Sequence, residues 1–135
     1  MYKIVPPDDV ATARLRLRRP ASTDAAAVFA YGSDPQVARY ADWPVRTSMD
    51  GLAESLRARA DACDEGSDFY WIITLPGEDR AIGGVACSIE ADAAEIGFLL
   101  HRHYWNRGYT TEAAGAVLAW LRTLPTVAKV WATCD

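Results

Sequence analysis

The sequence predicts an α+β fold, a single mixed and mostly antiparallel sheet packed with helices. Three observations predict it. Between residues 69 and 101, three strand-like apolar segments follow one another, separated by short turn signals. Helical periodicities stand before and after that block. Half of the 135 residues are hydrophobic, enough for one core and one domain spanning 1–135.

Taken in order, Thr12 to Arg19 alternates apolar and basic residues, as a half-buried strand does, and puts Arg14, Arg16 and Arg18 on one face. Such a face reads as a solvated surface, with a nucleic-acid stripe as the rival reading. Pro20 closes the strand, and Ser22, Thr23 and Asp24 offer N-caps for a helix from Ala25 to Tyr31. Gly32-Ser33-Asp34-Pro35 stops that helix, and Gln36 to Tyr40 forms a further helical turn. Ser48 is placed to cap the next helix, where Met49, Leu52, Leu56, Ala60 and Cys63 recur at helical spacing before Glu65-Gly66 ends it. That stripe is expected to pack on the sheet rather than line a groove.

Phe69 to Leu75 reads as a strand, Pro76 to Asp79 as a turn and Ala81 to Ile89 as a second strand. Gly83-Gly84 inside the second strand predicts a bulge or a close backbone approach. Ala91-Asp92 turns the chain into a third strand, Ala94 to His101, which completes an antiparallel meander. A helix from about Thr110 to Thr123 then presents Ala113, Ala114, Val117, Leu118 and Leu121 on its apolar face. Pro125 interrupts, and Val127 to Cys134 reads as a last strand, parallel to the strand before the helix because a helical crossover joins the two.

Composition excludes several function classes. A net charge of −4 gives no global field for nucleic acid, and it favours, weakly, a cationic substrate such as an amine. No apolar run approaches the ~20 residues needed to span a bilayer. The start, Met1 to Pro7, is broken by proline too early for a signal peptide, so a cytoplasmic protein is expected. Cys63, Cys87 and Cys134 are odd in number and far apart, which predicts buried reduced thiols rather than disulfides or zinc. His101 and His103 lack a third ligand, so no metal is expected, and Ser88 has no nucleophile-elbow glycines. The five tryptophans are expected in the core and groove walls.

The informative stretch is Trp105-Asn106-Arg107-Gly108-Tyr109-Thr110-Thr111-Glu112, between a strand and a helix. A helix start presents unpaired N–H groups and the positive end of its dipole, which suits a phosphate. Gly108 lets the backbone approach a bulky anion, Arg107 adds a charge, and the Thr110 and Thr111 hydroxyls cap or donate.

Glu95-Ile96-Gly97-Phe98-Leu99-Leu100-His101, followed by Tyr104-Trp105 and Gly108-Tyr109-Thr110-Thr111-Glu112-Ala113, resembles the core motif of the GCN5-related N-acetyltransferases (GNAT). Within that superfamily it is most similar to the branch that acetylates the N-termini of ribosomal proteins. Arg14 to Arg18 and Asp42-Trp43-Pro44 are also similar to that branch. The resemblance implies acetyl-CoA as co-substrate and a primary amine as acceptor, a small amine or a peptide N-terminus. It implies a strand, Glu95 to Leu100, that splays from the next one, with main-chain groups around Leu99 and Leu100 pairing with the pantetheine arm. The pyrophosphate would rest on the turn of Asn106, Arg107, Gly108, Tyr109, Thr110 and Thr111; Thr110 stands where the family commonly has Gly or Ala. Glu95 matches the position of a general base in some members, and N–H groups near Leu99 would stabilise the oxyanion.

Relatives usually continue past this last strand with an Asn-containing turn, a helix and a final strand, and carry there the tyrosine that protonates the thiolate. The expectation is therefore a C-terminally shortened fold whose apolar edge, with Val130 and Trp131, pairs two copies into a homodimer. The alternative function is a catalytically weak acyl-CoA-binding or interaction module.

Overall fold

The computed structural model describes residues 4–41, 45–66 and 68–132. The likeness at Asp42-Trp43-Pro44, the thiol of Cys134 and the far end of the expected last strand lie outside the described residues.

Six strands form one sheet in sequential order: β1 Asp9–Ala11, β2 Arg16–Arg18, β3 Asp68–Leu75, β4 Glu78–Glu90, β5 Ala93–Leu100 and β6 Lys129–Ala132. Each neighbouring pair is antiparallel except β5 and β6, which run parallel. The helices are α1 Ala25–Gly32, α2 Pro35–Ala41, α3 Leu52–Glu65 and α4 Tyr109–Leu121. The meander β3–β4–β5 and the crossover through α4 match the sequence reading.

Three local readings are corrected. The alternating run from Thr12 to Arg19 is not one strand. Thr12 turns the chain, its N–H donating to Leu15 O at 2.8 Å, so that the short β1 and β2 form a hairpin. Nor do Arg14, Arg16 and Arg18 make a basic stripe. Arg16 meets Asp9, Arg18 meets Asp24 and Asp79, and Arg14 meets Glu112. Ser48 does not cap α3: its hydroxyl accepts from Asp50 N–H, and the helix starts one residue after Gly51, whose φ of 76° is a conformation β-carbons disfavour. Met49 accordingly sits outside the helix and is exposed.

Period-2 alternation splits the side chains of the sheet between two faces. Phe69, Trp71 and Ile73 of β3, Val85 and Cys87 of β4 and Ile96 of β5 pack against Val117 and Leu121 of α4. Tyr70 and Ile72 of β3 face Val28, Leu52 and Leu56 of α1 and α3. Gly83 and Gly84 are close approaches, as expected. A Cβ on Gly84 would lie 2.0 Å from the Tyr70 hydroxyl, and one on Gly83 2.4 Å from Leu99 O. The pairing register between β3 and β4 also shifts between Ile73 and Leu75.

Cys63 and Cys87 are buried free thiols, and burial pushes Cys87 up to about 12. Among the described residues no helix is long and apolar enough to cross a membrane.

Candidate functional site

The turn after β5 is shaped by its own residues. Trp105 folds back so that its indole N–H donates to Leu100 O at 2.9 Å. Asn106 and Gly108 both take left-handed conformations, with φ of 63° and 79°, and reverse the chain into α4. Glu112 N–H is the first to bond within the helix, to Gly108 O at 3.0 Å. Helix geometry leaves the N–H groups of Tyr109, Thr110 and Thr111 without an intrahelical acceptor, so three donors and the positive dipole end converge at one place. Arg107 is exposed beside them, its guanidinium 5.7 Å from the centre of the Tyr104 ring.

A brace holds this turn. Arg14, from the β1–β2 loop, donates through Nε to Glu112 at 2.7 Å and through its main-chain N–H to the other Glu112 oxygen at 2.8 Å. Its Nη1 donates to Arg107 O at 2.7 Å. Thr12 Oγ1 also donates to Glu112. The Thr12 hydroxyl, with the Arg14 guanidinium and N–H, holds the Glu112 carboxyl below its usual range. Nη2 of Arg14 would lie 3.2 Å from a Cβ at position 108, so a side chain there would crowd the brace.

On the strand itself, β6 pairs with Ala93 to Ile96 and with nothing further along β5 among the described residues. Among the described residues, the segment Gly97 to Leu100 therefore presents an open edge. His101 N–H donates to Ile82 O of β4, while Asp92 O accepts from Ala128 and Lys129 on the β6 side. Alternation from these two anchors turns the main chain of Phe98 and Leu100 to the open edge and that of Leu99 towards β4. Leu100 O is already used by the Trp105 indole, which leaves the edge N–H groups as its donors.

Glu95 stands at the other end of β5, opposite Ser88 of β4 and Trp131 of β6. Five residues of strand put it roughly 17 Å from Leu100. It lines a cleft of about 580 Å³ on the α3 side of the sheet, together with Ser88, Asp68, Tyr70, Arg59 and Gly97. A Cβ on Gly97 would meet nothing within 4 Å, so the missing side chain leaves the cleft floor open. The structure thus brings Asn106 to Thr111 together as one cradle, and sets Glu95 apart from it along the strand.

His101 accepts from His103 N–H through Nδ1, and burial, then His103, keep its pKa below the usual value. Among the described residues no group of three His, Cys, Asp or Glu side chains is arranged for a metal ion.

The sheet with its open β5 edge and the N–H cradle is an acyltransferase architecture. The description "Acetyltransferase (GNAT) domain" matches residues 14–135, and the chain belongs to that family. It is 30% identical over 105 residues to the uncharacterized N-acetyltransferase p20 of Bacillus licheniformis, covering 76% of this chain. It spans 59% of that relative's length. Two solved structures share the fold. One is the microcin C7 self-immunity acetyltransferase MccE in complex with acetyl-CoA and AMP, with a TM-score of 0.79, 14% identity, and coverage of 96% of this chain and 75% of the other. The second is a Salmonella typhimurium acetyltransferase that modifies the N-terminal serine of ribosomal protein L7/L12, with a TM-score of 0.71, 16% identity, and coverage of 86% and 68%.

Proposed function

We propose that this chain binds acetyl-CoA and transfers the acetyl group to a primary amine, such as the α-amino group of a peptide. The observation that carries this reading is the continuity between the open edge of β5 and the N–H cradle at Gly108. An extended chain carrying amide groups can add to the strand edge while its phosphates reach the helix start. The acetyl-CoA complex of MccE supports the donor, and the L7/L12-modifying enzyme supports a peptide acceptor.

In this scheme Glu95 accepts the proton of the ammonium group, directly or through water, so that the neutral amine attacks the thioester carbonyl. The new N–C bond forms, and N–H groups near Leu99, at the open edge, stabilise the oxyanion. The C–S bond then breaks, the attacking nitrogen gives up its second proton, and the departing thiolate takes up one proton, so that the products are the amide and the free thiol of CoA.

Calorimetry with CoA on wild type and Gly108→Asp tests the cradle. The carboxylate should repel the phosphates and strain a left-handed position, lowering affinity at least tenfold; equal affinity would move the phosphates elsewhere. Tight binding without turnover of any amine would reduce the protein to an acyl-CoA-binding module.

Self-association belongs to the same proposal. Val130 and Trp131 of β6 are 39% and 55% exposed on the last described strand of the sheet. Pairing of two copies there would cover both. Sedimentation velocity at micromolar concentration should give a dimer that Trp131→Lys weakens, and a monomer throughout would refute it.

A further inference from the structure

The first turn of α4 carries a charge that works against a phosphate site. Glu112 places a carboxylate one turn after Gly108, and by charge alone it opposes an anion at the helix start. That carboxylate is fully engaged by the β1–β2 loop. One oxygen accepts from Arg14 Nε at 2.7 Å, and the other from Arg14 N–H at 2.8 Å and from the Thr12 hydroxyl. Glu112 is thus the anchor that fixes the Arg14 guanidinium in place.

The anchored guanidinium reaches one peptide further, since its Nη1 donates to Arg107 O at 2.7 Å. A trans peptide is planar, so the N–H of Gly108 points opposite to the carbonyl that Arg14 holds. Asn106 and Gly108, on either side of this peptide, both have positive φ. A glycine opposes rotation of the peptide before it very little, because it has no Cβ to clash. Turned over, the Arg107–Gly108 peptide would present a carbonyl oxygen where its N–H now points, and that oxygen would repel a phosphate.

We propose that Arg14 is a positioning residue of the phosphate cradle. It holds the Arg107–Gly108 peptide in the orientation that keeps N–H groups, rather than a carbonyl, turned to the pyrophosphate of acetyl-CoA. This rests on the acetyl-CoA reading above, and it adds to the turn a residue 93 positions earlier in the chain.

Calorimetry with CoA tests it on wild type, Arg14→Gln, Glu112→Ala and the double variant. Each single change should weaken CoA binding roughly tenfold, the scale of one charge-assisted hydrogen bond. The double should fall no more than about twofold below either single, because the two side chains act as one unit. Charge alone predicts the opposite sign for Glu112→Ala, since losing a carboxylate beside the phosphates should tighten binding. Arg14→Lys keeps the cation but lacks the fork that spans Glu112 and Arg107 O, so it should recover only part of the affinity. With an amine acceptor, the loss in Arg14→Gln should fall on KM for acetyl-CoA more than on kcat or on KM for the amine. Thr12→Val removes only the hydroxyl donor to Glu112 and should give a smaller loss in the same direction.

Wild-type CoA affinity in Arg14→Gln, tighter binding in Glu112→Ala, or full recovery in Arg14→Lys would each overturn the inference. If the larger changes unfold the domain, wild-type affinity in Thr12→Val would overturn it instead. A wild-type protein that binds no CoA would overturn the acetyl-CoA reading itself, and this inference with it.

Discussion

Alternate residues of the same strands build two faces of opposite character. Towards α4, Phe69 and Trp71 set their rings edge-on against Trp120, with centroids 5.1 and 5.5 Å apart, and aliphatic side chains fill the rest. Towards α1 and α3, the same strands carry glycines, a tyrosine under an arginine, and two adjoining cavities. One face is closed and apolar; the other is open and bears ionisable groups. A change of one position along β3 or β5 therefore moves a residue from the packed core to the cavity side.

That contrast can be broken most severely on the closed face. Trp71 is 2% exposed and its indole N–H donates to Pro7 O at 2.9 Å. Trp71→Ala should lower unfolding free energy by about 3–5 kcal/mol in chemical denaturation. A loss below about 1 kcal/mol would mean that this face is not the main core.

On the open face the signature should be the reverse. Glu95→Gln keeps shape and removes a base, so turnover with an amine should fall roughly 10²-fold at neutral pH while stability stays within about 1 kcal/mol of wild type. The rate loss should shrink as pH rises towards the amine pKa. An unchanged rate would make Glu95 an ordinary strand residue.

The smallest effect concerns the brace, which belongs to neither face. Because Glu112 has its pKa depressed in the folded protein, its ionised form contributes stability above the unfolded-state pKa, and that contribution is lost as pH falls through the folded one. Glu112→Gln should therefore destabilise at pH 7, and the gap to wild type should narrow as pH falls below the ordinary glutamate value of about 4.3. A gap that does not depend on pH would show that the carboxylate charge plays no part in the brace.

Much of this was legible in the sequence because it is local. The meander from Asp68 to Leu100 is written in alternation and in turns such as Pro76-Gly77 and Ala91-Asp92, and α4 in a regular apolar stripe. The helix start after Gly108 was legible too, since a glycine between strand and helix carries its own physical meaning. What escaped was set by distant parts of the chain. Three-residue strands are too short to show a period, so the hairpin at Thr12 merged into one run. Arg14 read as a solvated charge because its partner, Glu112, is 98 residues away. At Ser48 a local signal was present but misleading, since its hydroxyl bonds two residues on, before the helix begins.

The same brace has a consequence for how the protein reaches its native state. A contact between residues 14 and 112, 98 positions apart, closes most of the described chain into a loop, and such closure is slow and entropically unfavourable until the intervening structure exists. During synthesis the β1–β2 loop emerges long before α4 does. It has to wait, without its carboxylate partner, until the meander between them has formed. The cradle is thus a late product of folding, completed by the meeting of an early segment and a late one.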